Sequence, residues 1–444
     1  LKKRQEQEGG HLLKENSDTG RKKTLLMETK IDELSKIRES CKLMERAVVQ
    51  NSLCDIAIDF KFYEDPSDEF IGHEGTLMPL WNFRYKGTKH LTVSALCWNR
   101  RYLDMFAVGM GTEDYFDQQC GGMVLIYSLK NPTYPEYAYK TASGVRCVDI
   151  HPHKSYLVAA GFYDGNVAVY NLKVEKLKPV CASSPETGKH MDPVIQLCWQ
   201  KDDINNNHNF YSVSLDGQIV SWTLVKVNMH VYVFSQYLEV LQLYLLLNLS
   251  FDPLYGQILV FFFFFQCSMT YTGHPMEVYD AHLLSVGTVK WNPFHPKVFI
   301  SCSCDMTVKI WDHTVTTPIS NIDLKEPVED VAFSPHTSTV FAAVTRRGTV
   351  YFYDVSISIY EAICQQEVVN KRKGQLTKLE FNPIHLIIII GDGKGCIHSF
   401  KLSPNLRKRP KNKKGQEIPI DPQEEVGKLE KFLISRLNAR QSAP

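Results

Sequence analysis

The 444-residue sequence lacks the short motifs that accompany most enzymatic chemistry. It contains neither a G-x-S-x-G nucleophile elbow nor an H-E-x-x-H zinc motif, and no paired carboxylates stand in a catalytic context. Residues 391–395 (GDGKG) fall short of the phosphate-loop pattern G-x-x-x-x-G-K-[ST] and lie between two predicted strands, so we predict a hairpin turn there. The sequence therefore argues against an enzyme and predicts no cofactor.

A strong charge of one sign is also lacking. Lys and Arg number 50 against 49 Asp and Glu, whereas a general nucleic-acid-binding protein usually carries a strongly basic face. The 12 cysteines form no C-x-x-C, and both Cys302-x-Cys304 and Cys396-x-His398 lie along predicted strands. We interpret the cysteines as reduced structural thiols of a cytosolic protein, in preference to a disulfide framework or a metal site.

An uninterrupted hydrophobic run of membrane-spanning length is missing as well. The run 231–249 is broken by Glu239 and by three amide side chains, and the run 254–265 is short, so we predict no membrane span. The second run ends in consecutive phenylalanines followed by Gln266, which a pyrimidine tract ending in CAG would encode. An alternative hypothesis is therefore that part of 227–266 is translated intron.

Residues 280–312 contain a unit of three predicted strands. They cover 286–291, 298–302 and 307–311, with a tight turn at Asp305-Met306. The unit ends on Trp-Asp and resembles a WD repeat, the building block of a β-propeller.

The resemblance implies a buried hydrogen-bonded tetrad, to which His282, Ser301 or Ser303, Asp305 and Trp311 correspond by position. A His, a Ser and an Asp together also suggest a hydrolase triad. We favour the tetrad, because a Ser hydroxyl that is tied into a blade is not exposed on a nucleophile elbow.

Similar strand triplets recur along the chain. Their first strands begin at Val93, Val145, Val194, Val286, Val328 and Leu376. The successive gaps are 52, 49, 92, 42 and 48 residues, and because 92 is twice 46, one repeat is hidden between 225 and 279. We therefore predict an all-β, seven-bladed WD40 β-propeller over 76–402, with one abnormal blade at about 225–279.

The last blade lacks an outer strand, because the chain turns at Ser403-Pro404. The strand 76–83 stands alone before the first repeat and can supply the missing one. We predict that Met78, Leu80 and Trp81 close the ring in this way, which removes an exposed sheet edge.

Flanking segments surround the propeller. We predict disorder over 1–23, and an amphipathic helix and linker over 24–75. The apolar stripe of the helix is predicted to bind a partner, with packing on the propeller as the alternative; it consists of Leu26, Ile31, Leu34, Ile37 and Met44. Residues 403–444 are predicted to form a basic tail and a short helix, in which the run 407–414 is either a solvated linker or a contact with an acidic surface such as a microtubule.

Several segments carry a closer resemblance. EGTLMPLWNF, ALCWN, YDGNVAVYNL, VSWTLVK, VKIWDH and KLSPNLRK, in this order, resemble the intermediate chains of axonemal outer-arm dynein. The resemblance covers about 50–225 and 270–440. It implies a non-catalytic scaffold that binds the dynein heavy chain, a second dynein intermediate chain and dynein light chains, and that helps attach the arm to the doublet microtubule for ciliary motility.

The resemblance also implies a location in the cilium axoneme, within the cytoskeleton, and in the cytoplasm before assembly. Neither nucleic acid nor membrane is expected as a partner. The candidate contact residues are on loops: Tyr115, Phe116, Tyr163, Arg346 and Arg347. The alternative is a WD-repeat substrate or assembly adaptor unrelated to dynein.

Overall fold

The computed structural model divides the chain into two compact units, Leu1–Ile58 and Asp59–Pro444. The residues it describes are 37, 40, 41, 44, 45, 47 and 48, then 74–112, 121–174, 178–185, 188–200, 202, 207–215, 219–224, 231–234, 245–251, 258–266, 277–369, 374–406 and 421–441. Several predicted features lie outside the described residues: segment 1–23, Leu26, Ile31, Leu34, Tyr115, Phe116 and the basic run 407–414.

In the first unit, the described residues between 37 and 48 are helical. The side chains of Ile37, Met44 and Val48 are each more than half exposed, at 55%, 68% and 62%. Binding of a partner by this apolar stripe stays a prediction.

In the second unit, the described residues form seven antiparallel sheets, which we number as blades. Blade 1 contains β2 (Thr92–Trp98), β3 (Met105–Gly111), β4 (Met123–Ser128) and β5 (Tyr137–Lys140). Blade 2 contains β6 (Val145–Ile150), β7 (Leu157–Phe162), β8 (Val167–Asn171) and β9 (Cys181–Ala182). Blade 3 contains β10 (Val194–Trp199), β11 (His208–Ser214), β12 (Ile219–Leu224) and β13 (Val231–Phe234).

Among the described residues, blade 4 has three strands, whereas blades 5 to 7 have four each. Blade 4 contains β14 (Leu245–Phe251), β15 (Ile258–Gln266) and β16 (Glu277–His282). Blade 5 contains β17 (Val286–Trp291), β18 (Val298–Ser303), β19 (Thr307–Asp312) and β20 (Ser320–Asp323). Blade 6 contains β21 (Val328–Phe333), β22 (Val340–Thr345), β23 (Thr349–Asp354) and β24 (Cys364–Glu367). Blade 7 contains β25 (Leu376–Phe381), β26 (Ile387–Asp392), β27 (Cys396–Leu402) and β1 (Leu77–Arg84).

The predicted all-β propeller with an abnormal blade is confirmed, but the boundaries of that blade differ from the prediction. Residues 231–234 pair with β12 as the outer strand of blade 3, so the three-stranded blade 4 begins only at Leu245. The physical reason is that a blade takes its outer strand from the chain that directly follows its third strand. The segment is also the one in which turn residues and alternation are missing from the sequence.

The sheet of blade 6 is buried on both faces because blades 5 and 7 pack against it. Along β22, Phe341 and Ala343 contact the core shared with blade 5, whereas Ala342 and Val344 contact the core shared with blade 7. This alternation follows from the two-residue period of a strand and explains why β22 is almost entirely apolar.

The turns between second and third strands share one backbone feature. The third turn residue adopts a positive φ in blades 2, 5, 6 and 7, at Gly165, Met306, Gly348 and Gly395. Glycine fits this conformation, whereas Met306, with φ 70°, carries the steric cost of its Cβ.

Polar side chains tie neighbouring blades together where first strands turn into second strands. The side-chain amide of Asn99 donates to the Ser155 carbonyl at 3.4 Å, and that of Asn292 donates to the Ser338 carbonyl at 2.8 Å. Asn382 closes the circle, since its Nδ2 donates to the Leu103 carbonyl of blade 1 at 2.7 Å.

Strand β1 completes blade 7 by pairing antiparallel with β27. Met78 lies opposite Lys401, and the register shifts between Pro79 and Asn82, so Leu80 and Trp81 lie in an irregularity of the ladder. The Trp81 backbone N–H donates to Ser399 Oγ at 3.0 Å, and the Ser399 hydroxyl donates back to the Trp81 carbonyl at 3.0 Å. The N-terminal strand therefore joins the last blade.

The helix α1 (Pro422–Gln441) packs on blades 5 and 6. Leu429, Phe432 and Leu433 are buried in the core that these blades share. Ser338 fixes the first turn of the helix, because its backbone N–H donates to Glu425 Oε2 and its hydroxyl donates to the Glu425 carbonyl, both at 2.8 Å. Among the described residues, no helix is both long and apolar enough to cross a membrane.

Candidate functional site

A buried relay of hydrogen bonds connects the end of β16 in blade 4 to blade 5. The Trp311 indole N–H donates to Ser301 Oγ at 2.9 Å, and Ser301 lies 2.8 Å from His282 Nε2. On the other side of the ring, His282 Nδ1 lies 2.8 Å from Asp305 Oδ2. The relay uses Ser301, whereas the Ser303 hydroxyl donates to the carbonyls of the preceding loop.

Burial and hydrogen bonding fix the protonation states of His282 and Asp305 in the relay. Burial lowers the pKa of His282, which keeps the imidazole neutral with one donor and one acceptor nitrogen. Burial alone would raise the pKa of Asp305, but hydrogen bonds from His282 and Thr307 hold it well below its usual range. Ser301 has no exposed surface, so its hydroxyl stabilises the blade and is not reachable as a nucleophile.

Blade 3 contains a second relay, which sequence reasoning missed. His190 Nε2 lies 2.6 Å from Ser212 Oγ, which also accepts the Trp222 indole N–H at 2.7 Å. Ser212 and Trp222 have the same ten-residue spacing as Ser301 and Trp311, and this spacing is the signal that could have revealed it. In blade 6 the Thr345 hydroxyl, at the strand position that Ser303 has in blade 5, donates to Glu326 Oε2 at 2.8 Å.

One face of the propeller carries the hairpins between second and third strands together with the connections that enter each blade. Antiparallel topology puts both kinds of loop at the same end of every sheet. We call this end the loop face. Tyr163, Arg346 and Arg347 lie on it, in the hairpins of blades 2 and 6.

The three described contact candidates differ in environment. Tyr163 is partly buried, with the Arg146 guanidinium 5.9 Å from its ring centre. Arg346 is exposed and pairs with Glu329 at 3.0 Å, and the equally exposed Arg347 lies 3.9 Å from Glu326. The two arginines therefore offer cationic surface on the loop face, whereas Tyr163 mainly packs within it.

An apolar patch on the loop face was not predicted from the sequence. It consists of Leu283, Leu284 and Met306, and Leu283 is 80% exposed. The Leu283 backbone N–H donates to Asp305 Oδ2 at 3.2 Å, so the buried relay fixes the loop that presents the patch. Exposed apolar side chains that are held in place in this way are typical of protein contact surfaces.

The inner strands of six blades surround a central cavity of about 330 Å³. Asp149, Lys290 and Glu380 occupy the last-but-one position of their inner strands and line it, together with Asp330 and Lys378. Burial raises the pKa of Asp149 to about 6 and that of Glu380 to about 7. Burial also acts to raise the pKa of Asp330, but Lys378 and Lys290 outweigh it and lower that pKa.

Two clusters of side chains have a composition that suits a metal ion. The first consists of His151, Asp202 and His208. His151 Nδ1 accepts the backbone N–H groups of His153 and Lys154 at 3.1 and 3.0 Å, so its Nε2 carries the proton that it donates to Asp202 at 3.2 Å.

His208 is held in a similar way, since Lys154 Nζ lies 2.5 Å from its Nε2 and its Nδ1 lies 2.8 Å from Asp202 Oδ1. The nitrogens that face Asp202 therefore both carry protons, and this cluster is a hydrogen-bond network between blades. The second cluster consists of Asp392, Cys396 and His398 and, unlike the first, includes a thiol.

Comparison with known proteins agrees with this geometry. The family model described as WD domain, G-beta repeat matches residues 134–171 and 265–312, and the second match ends on the blade 5 relay. The chain is 45% identical to "Dynein intermediate chain 2, ciliary" from Heliocidaris crassispina over 95% of its length, covering 62% of that protein.

Two further relatives come from distant organisms. The chain is 48% identical to "Dynein axonemal intermediate chain 1" from Bos taurus, over 93% of this chain and 61% of that protein. It is 38% identical to "Dynein, 78 kDa intermediate chain, flagellar outer arm" from Chlamydomonas reinhardtii, over 86% of this chain and 59% of that protein. The chain thus spans about three fifths of the length of these curated relatives.

Fold and relays together define a WD-repeat β-propeller. The identity to these relatives extends over nearly the whole chain, well beyond the two matched repeats. The chain shows strong homology to dynein intermediate chains over nearly its whole length.

Proposed function

We propose that the chain is a non-catalytic scaffold subunit of an axonemal outer dynein arm and acts in the cilium axoneme. The observation that carries this proposal is the identity of 45–48% to ciliary and axonemal dynein intermediate chains over more than nine tenths of the chain. The flagellar outer-arm relative supports the outer arm in particular.

The structure supports a scaffold in physical terms. Blades with apolar cores on both faces, tied by the asparagine bonds between neighbours, make a rigid body whose loops can differ without disturbing the sheets. The serine of the Ser-His-Asp relay is buried, so its geometry favours a structural role over catalysis.

The dynein heavy chain is the first partner in this proposal, and the loop face is its contact. The apolar patch of Leu283, Leu284 and Met306 supports this assignment, together with the nearby cationic side chains of Arg346 and Arg347. Aliphatic surface with arginines at its rim is typical of protein interfaces.

A second intermediate chain and light chains are further proposed partners, with the apolar stripe of the helix at 24–51 as their contact. The exposure of Ile37 and Met44 supports this part. The basic run 407–414 is the proposed contact with the doublet microtubule, whose surface is acidic.

The test is affinity purification of the tagged full chain from ciliated cells, with mass spectrometry of the recovered proteins. We expect dynein heavy chain to be enriched with the wild-type chain. The variant Leu283→Glu should reduce heavy-chain recovery at least fivefold, because it places a charge in the apolar patch.

Ile384→Glu is the matched control. Ile384 is 57% exposed in the connection between β25 and β26, at the end of the sheets opposite to the loop face, so heavy-chain recovery should not change. Equal loss with both variants would contradict the assignment of the face. Recovery of another complex in place of dynein subunits would contradict the proposed function.

A further inference from the structure

The hairpin between β26 and β27 brings together three potential metal ligands, which the sequence alone had suggested to be structural. Asp392 ends β26, and Cys396 and His398 are two residues apart on β27, so their side chains point to the same face of the strand. A carboxylate oxygen, the Cys396 sulfur and a His398 nitrogen all lie within 4.8 Å of one another.

The carboxylate of Asp392 is fixed by the turn that follows it. Its Oδ1 accepts the backbone N–H groups of Lys394 and Cys396 at 2.9 and 2.7 Å. Gly395, with φ 71°, permits the tight turn that makes both bonds possible. The second oxygen, Oδ2, faces His398 Nε2 at 3.4 Å.

The ring of His398 is fixed from the other side. His398 Nδ1 lies 2.8 Å from Asn82 Oδ1 on β1, the strand that closes the propeller. Burial acts to lower the pKa of His398, but hydrogen bonds to Asp392 and Cys396 outweigh it and raise the pKa to about 9, so the Nε2 that faces Asp392 carries a proton, which a bound ion displaces. A carbonyl oxygen that receives the second N–H of the imidazole is the usual outer-shell partner of a metal-binding histidine.

The oxygen-to-nitrogen distance agrees with a tetrahedral ion. Oxygen and nitrogen ligands at about 2.0–2.2 Å from one zinc lie about 3.3–3.6 Å apart. The 3.4 Å between Asp392 Oδ2 and His398 Nε2 falls within this range. The His151 cluster differs because it contains no cysteine and so offers no thiolate ligand.

We propose that Asp392 Oδ2, Cys396 Sγ and His398 Nε2 form a binding site for a zinc ion on the loop face of blade 7. Thiolate, imidazole and carboxylate together are the donor set of tetrahedral Zn²⁺, with a water as the fourth ligand. Cys396 and His398 are partly exposed, which gives the ion a path from solvent.

This zinc site is separate from the proposed scaffold role, and ion binding there affects how the propeller is closed. A bound ion joins both strands of the hairpin, and through the bond from His398 to Asn82 it holds β1 against β27. Because the folded hairpin forms the site, zinc stabilises the closed ring by mass action.

The probe is Co²⁺ titrated into the purified full chain under a non-chelating reductant. Co²⁺ bound through Cys396 gives a thiolate charge-transfer band in the near ultraviolet, which saturates at one ion per chain and is removed by Zn²⁺. Cys396→Ser should abolish the band and His398→Gln should weaken Co²⁺ binding at least tenfold. Asn82→Ala should weaken binding about tenfold through the second shell.

Cys304→Ser is the matched control, because Cys304 is a partly exposed thiol in the corresponding hairpin of blade 5. The control should keep the full band. The same band in Cys396→Ser, or a wild-type chain that gives none, would overturn the proposal. If Cys396→Ser fails to fold, unchanged Co²⁺ affinity in folded His398→Gln would overturn it equally.

Discussion

Trp199 donates two hydrogen bonds to Asp149, one from its indole Nε1 to the carbonyl oxygen at 3.1 Å and one from its backbone N–H to Oδ2 at 3.0 Å. These bonds connect the inner strands of blades 2 and 3. The joint between blades 7 and 1 repeats the arrangement, with the Trp98 indole donating to the Glu380 carbonyl at 3.4 Å and the Trp98 backbone N–H to the Glu380 carboxylate. An acid on one inner strand and a Trp ending the next therefore lock two of the blade joints.

The carboxyl group of Glu380, at the joint between blades 7 and 1, makes the free energy of unfolding depend on pH. Burial raises the pKa of Glu380 to about 7, so the folded chain binds this proton more tightly than the unfolded chain. The free energy of unfolding therefore loses a contribution as pH rises from the ordinary glutamate range to about 7. Glu380→Gln keeps an acceptor for Trp98 and should stabilise the chain above pH 7 by on the order of 1 kcal/mol, since Glu380 is only partly buried and solvent screening weakens the burial penalty.

Thermal unfolding between pH 4.5 and 8.5 measures this effect. The melting curves of Glu380→Gln and wild type should converge at low pH and separate towards high pH. Glu361→Gln, at an exposed position, should follow wild type throughout. Parallel pH profiles for Glu380→Gln and wild type would show that the acid is not the titrating group.

The blade 5 relay should contribute strongly to stability. Ser301→Ala leaves His282 and the Trp311 indole without their shared partner in a buried site, so we expect a loss of about 2–3 kcal/mol. Thr314→Ala, at an exposed position of the same blade, should cost less than about 0.5 kcal/mol. Chemical denaturation of both variants gives the comparison, and similar small losses would show that the relay is energetically unimportant.

Met306 should respond to relief of backbone strain. Its φ of 70° disfavours a side chain, so Met306→Gly is expected to stabilise the chain by about 1 kcal/mol. Gly348→Ala is the reciprocal change in blade 6, where an added Cβ would clash with the Val369 carbonyl oxygen, and it should destabilise. Equilibrium unfolding checks both signs, and destabilisation by Met306→Gly would mean that the Met306 side chain contributes more than its strain costs.

Phe83 connects the closing strand to blade 1. It is fully buried, and its ring centre lies 5.1 Å from Phe106 and 5.3 Å from Tyr127. We expect Phe83→Ala to cost about 3–5 kcal/mol and to promote aggregation through a loosened β27 edge. Light scattering during thermal unfolding measures the aggregation of Phe83→Ala. Arg84→Ala, at an exposed position, is the control. A Phe83→Ala chain that stays soluble and unfolds like wild type would contradict closure of the propeller by β1.

The amphipathic helix is predicted to serve partners. Deletion of 24–51 should lower recovery of the second intermediate chain and light chains in affinity purification, because it removes the exposed side chains of Ile37 and Met44. The unfolding temperature of the propeller should change little. A large drop in that temperature would show that the helix is part of the folded core.

Local sequence patterns predicted much of the fold. Alternation and turn residues placed the first strands correctly, and five of them begin at the predicted residue, as at Val145 and Val286. The lone strand before the first repeat predicted the closing strand. Both signals are local, since strand periodicity and turn preference depend on residues that are neighbours in the sequence.

Contacts between blades could not be predicted in this way. The pairing of Asp149 with Trp199 joins residues on different inner strands, and neither residue is unusual in its own strand. Likewise, Asn82 and His398 are 316 positions apart and meet only because β1 pairs with β27. The individual strands of blade 4 could not be placed, because the segment 225–279 lacks the turns and alternation on which such a prediction depends.

The most direct test of the scaffold account is sedimentation of a salt extract of axonemes from cells that express the tagged chain. The account predicts that the chain leaves the axoneme in high salt together with dynein heavy chain and sediments with it in a sucrose gradient as one complex. A chain that is absent from the axoneme, or that sediments apart from heavy chain in every fraction, would contradict it.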